Sequence, residues 1–256
     1  MFQNIVLNIE DRVGRIGFSR PPLNVFNIAM MGEIGEAVNE CVSHRDMVAI
    51  VFEATSGTRG FSAGVAVEEH VDETVYQMLE SFHGIFRALE FGAKPTIAVV
   101  DGVALGGGCE LVAACDIVIA SDRSRFGQPE IKLGVFPPVA AVLLPRIIGD
   151  KRARELILTG ELIGAEEALR LGLINYVVPS ADLHAKTEEM LARFRDLSAP
   201  ALSATKSAMD MSRGKTFETA LKDVENLYLN ELMKTEDARE GVNAFVEKRK
   251  PEWRNK

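Results

Sequence analysis

The chain has 256 residues, 47% hydrophobic and 26% charged, which is enough to bury a substantial core as one large domain or one domain with an appendage. Lys and Arg number 29 against 37 Asp and Glu, for a formal charge of −8. The only basic run is the short Glu247-Lys248-Arg249-Lys250 tail, so no nucleic-acid partner is expected. No basic-then-apolar leader opens the chain, the most apolar stretch (96–120) is broken by Asp101, Glu110 and Asp116, and Cys41, Cys109 and Cys115 form an odd, unspaced set; together these predict a cytoplasmic protein with no membrane span and no disulfide frame.

Residues 4–9 and 13–19 alternate apolar and polar around Asp11-Arg12, which predicts an opening hairpin. Met30, Ile34, Ala37, Val38 and Cys41 recur at helical spacing within 29–42. The almost continuously apolar 47–54 reads as a strand buried on both faces. A glycine-bearing loop, 57–64, leads to a helix over 72–91, with Val75, Met78, Phe82, Ile85 and Leu89 among the residues on one side. Two short β-rich runs, 96–100 and 116–120, flank a helix that starts near Gly108. Strand and helix in alternation predict parallel strands with crossover helices, so residues 1–195 read as an α/β core. From Ser198 the pattern is helical only, over 199–212, 216–232 and 237–248, giving a C-terminal helical region at 196–256. In its middle helix Phe217, Ala220, Leu221, Val224 and Tyr228 form an apolar stripe that needs covering, by the body of this chain or by a neighbouring subunit.

Two glycine-bearing segments, 57–64 and 101–108, each follow a predicted strand, at the carboxyl end where α/β folds place ligands. Either alone is equally what an ordinary connection looks like, and the second fits neither the dinucleotide nor the P-loop pattern. If a helix begins at Gly107 or Gly108, its first N–H groups are unsatisfied and Glu110 lies about one turn along it. A glutamate there also suits the helix dipole alone, and Glu130 in Phe126-Gly127-Gln128-Pro129-Glu130 also fits a solvated loop carboxylate. Yet both sit in apolar, glycine-bearing settings where a carboxylate is costly without a task, and two brought together can hold a water and share its protons. The four histidines, His44, His70, His83 and His184, have no metal-ligand spacing, so no metal is expected.

Arg20-Pro21-Pro22-Leu23-Asn24, Phe61-Ser62-Ala63-Gly64, Gly106-Gly107-Gly108-Cys109-Glu110-Leu111, Phe126-Gly127-Gln128-Pro129-Glu130 and the terminal Ala244–Pro251 segment resemble the enoyl-CoA hydratase/isomerase (crotonase) family over nearly the whole chain. The resemblance implies an α/β crotonase (ClpP-like) fold of repeated ββα units with a C-terminal helical region. It implies an acyl-CoA thioester as substrate, coenzyme A as part of that substrate and no other cofactor. The backbone N–H groups of Ala63 and Gly107 would form an oxyanion hole, each such donor lowering the barrier to a thioester enolate by about 2.7–4 kcal/mol. Glu110 and Glu130 would orient the water, one taking its proton and the other protonating carbon. Ala63, Gly64, Gly107, Pro137 and Val139 would contact the acyl thioester, with Phe245 and Lys248 near the CoA nucleotide of a neighbouring subunit. The last two also fit a core aromatic and a solvated basic tail. Trimers, or dimers of trimers, are implied as well.

Two departures from the family pattern stand out. Gly64 is followed by Val65-Ala66-Val67, without the Asp that members often carry two residues on, although Glu68 and Glu69 follow. At 134–142, Gly134-Val135-Phe136-Pro137-Pro138-Val139-Ala140-Ala141-Val142 replaces a glycine-rich segment, stiffening and filling the wall next to Glu130. With the 22–31 segment, it looks like the cyclohexa-1,5-diene-1-carbonyl-CoA hydratases of anaerobic aromatic breakdown. Alternatives are a straight-chain enoyl-CoA hydratase, an isomerase that uses one glutamate, and a non-catalytic RNA-binding relative.

Overall fold

The computed structural model describes residues 2–256. β1 (Ile5–Glu10) and β2 (Val13–Phe18) pair antiparallel through Asp11 and Arg12, whose φ values of 49° and 66° make the tight turn that matches strand twist. α1 (Ile28–Ser43) is capped by Asn27, whose side chain accepts from Met30 N–H, and buries Met30, Ile34, Val38 and Cys41. β3 (Ala49–Ala54) is followed by β4 (Gly60–Ser62) and α2 (Val75–Gly92), then by β5 (Thr96–Val100), β6 (Val103–Leu105) and α3 (Gly107–Ala114). β7 (Ile117–Ser121), β8 (Arg125–Gly127) and a 3₁₀ turn (Pro129–Leu133) lead into α4 (Pro138–Ile148). α5 (Asp150–Thr159), β9 (Leu162–Gly164), α6 (Ala165–Leu171) and β10 (Tyr176–Val178) complete the mixed part. Four helices close the chain: α7 (Leu183–Arg195), α8 (Ala199–Met211), α9 (Phe217–Asn230) and α10 (Glu236–Val246).

The expected elements are present, with ends displaced by a residue or a few. The strands make two sheets. The larger runs β1-β2-β3-β5-β7-β10 and is parallel from β2 onward; the smaller runs β4-β6-β8-β9, with β4, β6 and β8 parallel. Each repeat therefore places one long strand in the first sheet, one short strand in the second, and then a helix: β3-β4-α2, β5-β6-α3, β7-β8-α4. Phe18, Phe26 and Phe61 interlock edge-to-face at centroid distances of 5.2 and 5.1 Å in the core between the layers. α8 is fixed to the large sheet by the buried Lys206, whose Nζ donates to Asp116 Oδ2 at 2.7 Å and to Lys94 O at 3.0 Å. No helix among the described residues is long and apolar enough to cross a membrane.

Because β4, β6 and β8 run side by side in one direction, the turns at their carboxyl ends converge. Those turns carry 63–66, Gly106-Gly107 and 128–130.

Candidate active site

The first turn is braced from below. Asn24 is fully buried; its Nδ2 donates to Gly60 O and Phe61 O at 3.0 and 3.2 Å, and its backbone O accepts from Ser62 Oγ at 2.7 Å. The four backbone N–H groups that follow Ser62 divide sharply. Ala63 N–H donates to Leu23 O at 2.9 Å, Gly64 N–H to Ser62 Oγ at 3.1 Å, and Ala66 N–H to Phe26 O at 2.8 Å. Val65 N–H alone is left without an acceptor among the described residues. A buried or half-buried N–H without a partner is uncommon enough to need a reason. This corrects the expectation that Ala63 supplies the free donor, because its N–H is spent on Leu23. The sequence signal that points to Val65 is Ser62, a hydroxyl that captures the N–H two residues on and leaves the next one out.

In the second turn, Gly106 caps α3 at φ 51°, ψ −126°, a conformation for glycine. Gly107 opens the helix, so its N–H has no acceptor within it. A Cβ on Gly107 would lie 2.8 Å from Val65 Cγ2 and 2.9 Å from the Phe82 ring, and one on Gly64 would lie 3.5 Å from Gly107 N. The free N–H groups of Val65 and Gly107 therefore belong to adjoining turns, and the helix N-terminus adds its positive end. Gly64, buried at φ 102°, keeps the two turns in contact.

The two glutamates meet over the same helix start. Glu110, in the first turn of α3, is 2% exposed, and its Oε1 accepts Ala140 N–H at 2.8 Å. Glu130 lies on the 3₁₀ turn with Oε1 where a Gly106 Cβ would stand, 2.5 Å away, while its Oε2 is buried without a partner among the described residues. Burial pushes the Glu110 carboxyl up to about 8; the Ala140 N–H opposes this and the nearby Glu130 adds to it. Burial raises the Glu130 carboxyl too. Neither is a solvated surface acid, and two acids this close take up protons as a pair.

Of the other expected site residues, Pro137 is the N-cap of α4 and Val139 its second residue, beside the Ala140 N–H that holds Glu110. Phe245, 85% exposed, is in the last turn of α10, and Lys248 follows the helix. Glu69, near the position of the missing acid, accepts Ile28 N–H at 2.9 Å and so caps α1. Among the described residues no cluster of His, Cys, Asp and Glu could hold a metal ion.

Residues 8–256 match the family described as enoyl-CoA hydratase/isomerase. The chain belongs to that family. A probable enoyl-CoA hydratase of Mycobacterium bovis is 38% identical over 98% of both chains. The cyclohexa-1,5-dienecarbonyl-CoA hydratase of Thauera aromatica is 36% identical over 94% of this chain and 93% of its own. An enoyl-CoA hydratase subunit from Geobacillus kaustophilus superposes with a TM-score of 0.91 at 34% identity, covering 100% of this chain and 99% of the other. The fold is thus the crotonase α/β fold, and the protein is an enzyme of the hydro-lyase kind.

Proposed function

We propose that the protein adds water across the conjugated double bond of an acyl-CoA thioester, with the Val65 and Gly107 N–H groups binding the thioester oxygen and Glu110 with Glu130 handling the water. The observation that carries this is the convergence of two unpaired backbone donors, the buried Glu110 and the half-buried Glu130 on one helix start. As the water oxygen bonds to Cβ, one carboxyl takes a water proton and the electron pair of the double bond moves onto the thioester oxygen as an enolate. Donors already aimed at that oxygen stabilise it without reorganising. The enolate then collapses, and the other carboxyl delivers a proton to Cα. One water is consumed, and the pair ends with as many protons as it began. The unpaired Glu130 Oε2 is open to this exchange, whereas Glu110 Oε1 is held by Ala140.

Within this class, the proline-bearing α4 start and the Thauera aromatica relative support a compact, cyclic dienoyl group. A short-chain-enoyl-CoA hydratase of Clostridium acetobutylicum, 35% identical, supports straight short chains as the second reading. We place the enzyme in the cytoplasm as a homotrimer or dimer of trimers, with Phe245 and Lys248 of one subunit against the CoA nucleotide bound by the next. Coenzyme A enters only as part of the substrate, and no metal or other cofactor takes part. The test is to incubate the purified protein with cyclohexa-1,5-diene-1-carbonyl-CoA, crotonyl-CoA and their isomers, and to weigh the products. A mass gain of one water is expected, and Glu110→Gln and Glu130→Gln each lose turnover by about three orders of magnitude or more while still binding acyl-CoA. Full activity in both variants would remove the mechanism.

A further inference from the structure

Three helices carry the walls of this site into a neighbouring chamber within one turn. On α3, Ala113 and Ala114 lie three and four residues beyond Glu110, on the same face. On α2, Phe86 lies four residues beyond Phe82, whose ring faces Gly107. On α4, Val139 immediately precedes Ala140, the donor to Glu110. Ala113, Ala114, Phe86 and Val139 line one cavity of about 860 Å³ whose lining is mixed, with Leu143 and Ile147 among the apolar residues and Arg87, Glu90, Arg146 and Arg213 among the charged ones; Glu110 and Glu130 do not line it. Such a volume falls in the range of sites that hold small organic groups, about 300–1,000 Å³.

Val139 therefore has its backbone toward Glu110 and its side chain toward the chamber. It is held there: Pro138 opens α4, Ala141 N–H donates to Pro137 O at 3.0 Å, and a β-branched side chain in a helix has one strongly preferred rotamer. We infer that Val139 determines acyl specificity: its isopropyl group closes the catalytic glutamates off from a compartment that is apolar only in part, restricting the natural substrate to compact acyl groups. Loss of that group opens the compartment to the tail of a medium-length chain. This rests on the hydratase reading of the site, and it uses the compartment that the two small alanines leave beside Glu110.

The experiment compares the dissociation constants of two unreactive esters, butyryl-CoA and decanoyl-CoA, by titration calorimetry on the wild-type, Val139→Ala and Val139→Gly proteins, alongside crotonyl-CoA hydration. The wild type should bind decanoyl-CoA no better than butyryl-CoA. The ratio should move toward decanoyl-CoA by about tenfold or more in Val139→Gly and by less in Val139→Ala, as expected when even one methylene gains or loses its pocket. Val139→Ala keeps helix propensity, so it supplies the answer if Val139→Gly does not fold. An unchanged ratio in a folded variant that hydrates crotonyl-CoA overturns the inference alone, as does a wild type that already favours decanoyl-CoA tenfold. Binding of neither ester by the wild type overturns both the inference and the reading beneath it.

Discussion

Glu110 is a buried carboxyl held by backbone N–H groups at the start of α4, Ala140 above all, with a second acid for a neighbour. Its ordinary value of 4.5 is raised to about 8 on folding, so between those values the folded chain holds a proton that the unfolded chain has released. The stability this confers is complete below about pH 4.5 and is lost as pH rises through about 8. Glu110→Gln removes the titration, so its melting temperature should gain on the wild type from pH 6 to pH 9 in calorimetric scans; a constant difference across that range would contradict the burial argument. The acids themselves were legible in the sequence, because a carboxylate after a glycine run in an apolar stretch is costly unless used. The donor was not. The resemblance pointed to Ala63, whereas the structure leaves Val65 free, because Leu23 O arrives from a distant turn to take the Ala63 N–H and no local motif announces that contact.

At the scale of elements, the site exists because three short parallel strands end together. The longer strands β2, β3, β5 and β7 and helices α1 and α2 could be read from apolar runs and helical spacing. β4, β6, β8 and β9 could not, since three residues are too few to show a period and their pairing is entirely tertiary. The turn at Gly106 joins β6 to α3 and at the same time seats Glu130. Gly106→Ala would add a methyl 2.5 Å from Glu130 Oε1 at a φ of 51° and ψ of −126°, costing about 1–3 kcal/mol in backbone strain and displacing the acid. We expect kcat to fall about a hundredfold with the protein still folded, because a misplacement of about an ångström is enough for that. Gly32→Ala in α1, where a Cβ meets nothing, is the control and should leave kcat unchanged. Equal kcat in both variants would separate Glu130 from the chemistry.

For the whole molecule, the helical region leaves Phe217 79%, Phe245 85% and Val246 73% exposed, apolar groups that a second copy would cover. Light scattering should give three or six times 28.0 kDa, and Phe245→Glu should lower it; a mass of 28.0 kDa for the wild type would contradict the assembly. The α/β core with a helical end was legible in the change of pattern after Ser198, but the cover for those helices was not, because an apolar stripe does not name its partner. Hydration requires that water enter the product. Crotonyl-CoA incubated with the enzyme in ¹⁸O-water should yield a hydroxyacyl-CoA bearing one ¹⁸O at the hydroxyl, with none formed by Glu110→Gln or Glu130→Gln, whereas conversion of conjugated esters to double-bond isomers without label would contradict it.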